Sequence, residues 1–304
     1  MKKLFFALIL LGLALPVYLA YRSNVVPLFV KTRIQQYRPL VMGVIPYLQP
    51  EKLKQHISPV MDYLSLKLQR KIKLMTASDY EGLGRLLELK RIDLAWFSDT
   101  SYRKLKRNNE WEIICRPVQY GSVVYRGQII VRKNSGIKDL ADLAGKTFAY
   151  VDRYSGSGFY YPNLLFKRKG IKPLDFFGRV EFSQSHRASI MGVIDGIYDA
   201  AAVFSANLLD SDLDRHSEEN NLRVIAVTDP IPNDPLVVRK DFDAGLKSKV
   251  ALAMLNMHKD EKGSEFLAIL RHLRGTERFI SEEEVQKIIQ AEMLETVKSN
   301  KEDN

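Results

Sequence analysis

Alternation between short apolar runs and amphipathic segments is the sequence feature that most constrains how this chain folds. Residues 40–45 form a continuous apolar run, as expected for a strand buried on both faces. Apolar side chains then recur at helical spacing through residues 53–68, and the same order of strand and helix resumes over residues 128–228. This repetition predicts an α/β fold in which mainly parallel sheets are flanked by helices.

The chain from residue 242 onward has a different pattern, which predicts helices. Ser281 is followed three residues later by Glu284, a spacing typical of a capping box at a helix start. With 304 residues, the chain is long enough for one large domain or for two lobes.

The loop at residues 152–162 is rich in small and hydroxyl side chains. It joins a predicted strand, residues 147–151, to a predicted helix, residues 161–169. Ser155 and Ser157 offer hydroxyl donors, Gly156 and Gly158 allow close approach of a ligand, and the helix start offers backbone N–H groups. A small-anion site is one interpretation, and a plain Gly/Ser turn is the other. The loop has neither the Gly-x-Ser-x-Gly spacing of a hydrolase elbow nor the lysine of a nucleotide P-loop.

Charge and cysteine content exclude several classes of protein. The net charge is +10 and the pI is about 9.4, but the basic residues are spread along the chain without interleaved aromatic side chains, so we expect no nucleic-acid partner.

Cys115 is the one cysteine, so neither an internal disulfide nor a cysteine metal cluster can form. Histidine spacing suggests no metal site, and no cofactor is expected. The sequence contexts of four histidines predict surface positions: His56, His216, His258 and His272.

The first 21 residues predict export. Lys2 and Lys3 precede an apolar run over residues 4–20, the pattern of a signal segment. Tyr18 stands where a small residue is wanted for cleavage, which favours an uncleaved membrane anchor at residues 1–21, followed by a linker at residues 22–37. The folded part would then lie in the periplasm or at the outer face of the cytoplasmic membrane.

Eight short motifs in the same order give the chain a resemblance to a known family. It resembles the PhnD-type substrate-binding proteins of ABC importers for phosphonate, phosphite or phosphate, from about residue 41 to about residue 241. The motifs are residues 43–53, 79–83, 91–97, 125–131, 155–162, 185–186, 196–200 and 231–235.

The resemblance implies a type II periplasmic binding fold. Lobe 1 would comprise residues 38–122 and 229–304, lobe 2 residues 123–228, and two crossing strands would join them. The ligand would lie in the cleft between the lobes, and a hinge motion would close the cleft. The protein would be a monomer that delivers its ligand to an ABC permease and catalyses no reaction.

The resemblance also implies which residues hold the ligand. They are Tyr80, Tyr125, Ser155, Gly156, Ser157, His186 and Asp234. The family usually has threonine where this chain has Gly156, so one hydroxyl donor is missing. Of the two acidic positions that hold an amine in aminoalkyl-phosphonate binders, one matches Asp234 and the other falls near Ala206. Because the position near Ala206 is not acidic, the resemblance favours phosphate, phosphite or a small alkylphosphonate as the ligand.

Two other functions stay open at the level of sequence. The anchored domain could report its ligand to a membrane sensor kinase, because the N-terminal segment is poorly suited to cleavage. An exported hydrolase could use Ser155 or Ser157 with His186, although no acidic residue has a recognisable place as a partner for the histidine.

Overall fold

The structure is a computed structural model that describes residues 38–45, 50–106, 110–204 and 221–302. The predicted segment 1–21, the linker 22–37 and Ala206 lie outside the described residues. The elements below belong to one compact unit that begins at Leu40. Among the helices of the described part, none is both long and apolar enough to cross a membrane.

Eleven strands are present in the described part of the chain. They are β1 (Leu40–Val44), β2 (Ile72–Thr76), β3 (Leu94–Trp96), β4 (Trp111–Gln119), β5 (Val124–Arg132), β6 (Thr147–Tyr150), β7 (Arg179–Phe182), β8 (Ala200–Phe204), β9 (Leu222–Pro232), β10 (Leu236–Arg239) and β11 (Thr276–Ile280).

The helices alternate with these strands. They are α1 (Pro50–Leu68), α2 (Tyr80–Glu88), α3 (Asp99–Leu105), α4 (Tyr161–Arg168), α5 (Pro173–Phe176), α6 (His186–Ile194), α7 (Ala244–Leu255), α8 (Glu261–Arg274) and α9 (Glu282–Glu302). A π-helical turn, Gly156–Tyr160, leads directly into α4.

The strands form two sheets. The first has the order β11-β4-β10-β3-β1-β2 and the second the order β7-β6-β8-β5-β9. Parallel pairs join β1 to β2 and β3, and β6 to β7 and β8. The remaining pairs, which involve β4, β5, β9, β10 and β11, are antiparallel. Each sheet is therefore mixed and not mainly parallel as predicted, because the strands outside the strand–helix repeats pair antiparallel; the parallel part of each sheet matches the predicted alternation.

Both faces of each sheet are covered, as strand alternation requires. In β1, Leu40, Met42 and Val44 pack in the core with α1, α7 and α8. In β3, Ala95 faces the other way and packs with residues of α2. In the second sheet, Phe148 of β6 packs with residues of α4, whereas Ala149 faces the α6 side. The result is the two-sheet α/β architecture that the sequence predicts.

The chain after residue 242 contains one strand that the sequence pattern did not predict. Gly275, with φ of +63°, ends α8 in the left-handed conformation and turns the chain into β11. The strand then pairs with β4. The predicted cap of the last helix is confirmed, because Ser281 Oγ accepts a hydrogen bond from the Glu284 N–H at 3.2 Å.

Candidate functional site

A cavity of about 80 Å³ is lined by residues from elements of both sheets. This volume exceeds what a single water molecule needs and is suited to a small anion. All seven residues predicted to hold the ligand line it: Tyr80, Tyr125, Ser155, Gly156, Ser157, His186 and Asp234. The other lining residues are Ile45, His56, Ser98, Gln119, Phe204, Leu273 and Arg274.

The serine loop forms the start of a helix, earlier than the sequence pattern predicted. Ser155 has extended backbone, and its Oγ accepts a hydrogen bond from the Gly158 N–H at 3.0 Å, so Ser155 caps the turn. The amide N–H groups of Gly156 and Ser157 lie in the first turn, where N–H groups have no intrahelical acceptor. Together with the helix dipole they can bind an anion in the cavity.

A glycine on β5 lets the serine loop approach the second sheet. A β-carbon on Gly127 would lie 2.9 Å from the backbone oxygen of Ser157 and 3.0 Å from Thr228 Cγ2. Both distances are shorter than ordinary carbon contacts. The backbone at Ser157 therefore reaches its position because residue 127 has no side chain.

Two buried tyrosines pair with the two serines of the loop. Tyr80 shares a side-chain hydrogen bond with Ser155, and Tyr125 shares one with Ser157. Burial raises the pKa of both phenols well above the ordinary value, and nearby Asp234 raises each further. Both tyrosines are therefore neutral hydroxyl donors at physiological pH.

His186 is the first residue of α6, held there by the Ser185 cap, whose Oγ accepts from the Ala188 N–H at 3.1 Å. Its Nδ1 accepts a hydrogen bond from the Phe204 N–H at 3.2 Å. Burial lowers the pKa of His186 to about 3, so the ring is neutral and carries its proton on Nε2. The imidazole can donate one hydrogen bond to an oxyanion without adding charge.

Asp234 is the one acidic residue among the cavity-lining positions of the described chain. It lies between β9 and β10, and its backbone oxygen accepts from Trp96 Nε1 at 3.1 Å. Its Oδ1 is buried without a hydrogen-bond partner. Burial raises the pKa of Asp234 to about 7, while nearby Arg274 opposes this rise. Its side chain can therefore either accept a hydrogen bond from the ligand or, when protonated, donate one.

A buried ion pair holds the chain segment that carries Asp234. Arg116 is fully buried and donates from Nη2 to Asp99 Oδ1 at 2.7 Å, from Nε to Glu282, and from Nη1 to the backbone oxygen of Asn233. The Asp99 N–H in turn donates to the Asp234 carboxylate. The position of Asp234 thus depends on a network that extends away from the cavity.

Among the seven further lining residues, three have nitrogen-bearing side chains that were not predicted from the sequence: His56, Gln119 and Arg274. The prediction that His56 is a surface residue is wrong, because only 4% of it is exposed. Burial, with Arg274 and Lys52 nearby, lowers the pKa of His56 to about 4. The spacing could have revealed it, since position 56 lies three and four residues from the buried Leu53 and Val60 on one helix face.

The cavity lacks the arrangement expected of a catalytic serine. His186 Nδ1 is occupied by a backbone N–H, so no carboxylate orients the ring as in a Ser-His-Asp triad. Over the described residues, no cluster of three histidine, cysteine or acidic side chains could hold a metal ion. The arrangement can bind an oxyanion through neutral hydrogen-bond donors.

Comparison with known proteins gives a consistent result. The family model described as "ABC transporter, phosphonate, periplasmic substrate-binding protein" matches residues 42–282. The phosphonates-binding periplasmic protein of Escherichia coli (strain K12) is 28% identical over 231 residues, which cover 74% of this chain and 68% of that protein. The phosphate-import protein PhnD of Mycolicibacterium smegmatis is 25% identical over 180 residues, and the match spans about half of each chain, 54%.

A solved structure confirms the fold. The binding protein component of an ABC phosphonate transporter from Pseudomonas aeruginosa superposes with a TM-score of 0.73 at 23% identity. The match covers 86% of this chain and 87% of that one. The two-lobed α/β fold of periplasmic binding proteins is therefore shared.

Proposed function

Because the chain belongs to the family of periplasmic phosphonate-binding proteins of ABC transporters, we propose that it captures a small phosphorus oxyanion and delivers it to an ABC permease. The family consists of solute-binding components rather than enzymes, and its members act outside the cytoplasmic membrane. Phosphate, phosphite and small alkylphosphonates are the proposed ligands.

One observation carries this proposal. Seven residues chosen from separate sequence motifs, spread from residue 80 to residue 234, line one cavity. The same cavity contains a helix start, a neutral imidazole and two hydroxyl pairs, Tyr80 with Ser155 and Tyr125 with Ser157. Such a set of neutral donors suits a tetrahedral oxyanion, whose several oxygen atoms each accept hydrogen bonds.

Asp234 can pair with the protonated form of the ligand. A phosphorus oxyanion near pH 7 carries one or two charges, and its protonated form has an O–H donor. The unpartnered Oδ1 of Asp234 is a suitable acceptor for that donor. Asp234 and the ligand would then share one proton, which keeps two negative charges from meeting in a buried site.

We propose that residues 38–122 with 229–304 and residues 123–228 act as two lobes that close on the ligand. The strand composition of the two sheets supports this division. Strands β5 and β9 pair along their length, and β9 continues to Pro232, past the proposed boundary at residue 228. These two strands would carry the hinge.

We also propose that the folded part is exported, acts as a monomer and stays near the membrane through residues 1–21. The apolar run with its two leading lysines supports export and anchoring. Cell fractionation separates an anchored protein from a released one. The full chain is compared with a variant that is designed to be cleaved after residue 37, which serves as the released reference.

A thermal-shift series tests the oxyanion proposal. The protein, dialysed free of phosphate, is heated with phosphate, phosphite, methylphosphonate, 2-aminoethylphosphonate or sulfate. A ligand at 100 times its Kd stabilises the fold by about 2.7 kcal/mol, which raises Tm by several degrees. We expect Ser157→Ala to lose the shift and Ser248→Ala, on the exposed face of α7, to keep it. No shift with any phosphorus compound at millimolar concentration would overturn the proposal.

The two alternative functions receive less support. A sensor would use the same binding site, but the matching family model describes a transporter component. A hydrolase would need a general base, whereas His186 Nδ1 already accepts from the Phe204 N–H and Nε2 carries the ring proton, so neither nitrogen is free to take a proton from a serine. Release of nitrophenol from a phosphonate ester by the wild type, abolished in Ser157→Ala, would restore the hydrolase interpretation.

A further inference from the structure

The cavity has a second set of lining side chains, at the end formed by elements of the first sheet, that the proposed oxyanion contacts do not use. His56 from α1, Gln119 from β4, and Leu273 and Arg274 from the end of α8 line it. These residues belong to elements packed with or within the first sheet. None of them contributes to the serine loop or to its tyrosine partners.

Arg274 is held in place at this end. Its backbone oxygen accepts from Gln119 Nε2 at 3.1 Å, and its guanidinium carbon lies 5.8 Å from the centre of the Trp96 ring. Trp96 also donates to the backbone oxygen of Asp234, so one side chain positions both charged residues. A guanidinium that stacks on an aromatic ring donates hydrogen bonds through its edge, in the geometry that a carboxylate accepts.

The two sets of lining residues are carried by elements beside different sheets. The serine loop packs on β5 and β8 of the second sheet, whereas α1 and α8, which carry His56 and Arg274, pack with each other beside the first sheet. Burial raises the pKa of Asp234 and lowers that of His56, and nearby Arg274 lowers both. Arg274 therefore lies close to Asp234 and His56, on the side of the cavity that the first sheet provides.

We propose that the ligand is a phosphonate whose carbon chain carries a carboxylate, which Arg274 binds. This inference rests on the proposed function, since the serine end must hold the phosphonate group. A lone oxyanion contacts only the serine end, whereas a carboxyalkyl phosphonate reaches both. The carboxylate would form charge-assisted hydrogen bonds with the guanidinium, and the neutral ring of His56 would border it without adding charge.

The test compares two ligands that differ in one group. Phosphonoacetate and phosphonoacetamide have nearly the same shape, but only the first has a carboxylate. Titration calorimetry is performed with both and with methylphosphonate, on the wild type, Arg274→Met, Arg274→Gln and Arg271→Met. Arg271 lies on the same helix, is exposed and does not line the cavity, so its variant controls for the loss of one positive charge.

We expect the wild type to bind phosphonoacetate at least about tenfold more tightly than phosphonoacetamide, as a charged hydrogen bond predicts. The ratio should fall below about threefold in both Arg274 variants and persist in Arg271→Met, while methylphosphonate affinity changes little. Arg274→Gln keeps polar contacts and serves if Arg274→Met does not fold.

Two results overturn the inference while the proposed function stands. The first is binding of methylphosphonate without preference for phosphonoacetate. The second is a preference that survives in Arg274→Gln, or that Arg271→Met loses equally. If the wild type binds none of the phosphorus ligands, the proposed function itself fails, and the inference fails with it.

Discussion

The hydroxyl of Thr100 occupies the space that a side chain on Gly156 would need. An ideal β-carbon on Gly156 would lie 2.9 Å from Thr100 Oγ1 and 3.6 Å from the Tyr125 hydroxyl oxygen. Thr100 is the second residue of α3 beside the first sheet, whereas Gly156 begins the helix beside the second. The two helix starts therefore touch through a glycine, and the threonine that the family resemblance implies at position 156 would not fit here unless Thr100 moved.

The first prediction concerns this contact. Gly156→Ala should lower phosphonate affinity about tenfold or more, because the added methyl group would press on Thr100 where the two proposed lobes meet, and overpacking of this kind commonly costs about 1–3 kcal/mol. Thr100→Ala should restore most of the loss in the double variant. Calorimetric titration of the two single variants and the double variant measures the coupling. Gly245→Ala is the control, since its nearest contact would be an ordinary 3.5 Å. Independent effects of the two substitutions would contradict the expectation.

The second prediction concerns the charge of Asp234 in the ligand-free protein. Burial raises its pKa from 3.8 to about 7, so the native state keeps a proton that the unfolded chain has released. Wild-type stability should therefore fall as pH rises from about 4 to about 7, and Asp234→Asn should remove this fall. Above pH 7 the variant should be more stable by a few kcal/mol, at about 1.4 kcal/mol per pKa unit.

Urea unfolding at pH 4.5, 6 and 8 measures this difference between Asp234→Asn and the wild type. Other titrating groups are common to both proteins and cancel in the comparison. A difference that is the same at all three pH values would show that Asp234 keeps an ordinary pKa.

The third prediction concerns the buried ion pair of Arg116 with Asp99. Removing Arg116 leaves the buried Asp99 carboxylate without its main positive partner. Arg116→Met should therefore lower the free energy of unfolding by about 3–5 kcal/mol. Arg278→Met, which breaks a half-exposed pair with Glu284, should cost less than about 1 kcal/mol. Denaturant titration of both variants provides the comparison, and similar losses in the two would argue against a special role for Arg116.

The fourth prediction concerns the protonation of His186. Because burial lowers its pKa to about 3, the ring should remain neutral at pH 5.5, with its proton on Nε2. Nitrogen-15 chemical shifts of labelled histidine, assigned with a His186→Gln variant, report this state directly. A doubly protonated ring at pH 5.5 would contradict the expectation. The exposed His272 serves as the internal reference.

The family resemblance, rather than local signals, pointed to Tyr80 and His186 as site residues. Tyr80 follows the cap residue Asp79, and His186 follows Ser185, so local capping explains where both side chains lie. The serine loop was predicted from its own small and hydroxyl residues. Its helix nevertheless begins at Gly156 rather than near residue 161, because the π-helical turn has no simple sequence period.

The rest of the site depends on contacts distant in sequence. Arg274 has the pattern of any basic residue in the last turn of a helix, and only the packing of α8 beside Trp96 brings it to the cavity. The contact of Thr100 with Gly156 joins two sheets, so neither residue's neighbours could reveal it. The spacing of residues in α1 places position 56 on the buried face, but histidine is polar, so His56 was predicted to be exposed.

Several donors around the cavity lie at helix starts beside two different sheets. Tyr80 begins a helix packed against the first sheet, and His186 begins one packed against the second. With the proposed ligand bound, both sheets would contact the same molecule, and each half of the site would raise the effective concentration of the other. Release would then need only a displacement of one sheet from the other, with no change in the chemistry of the site.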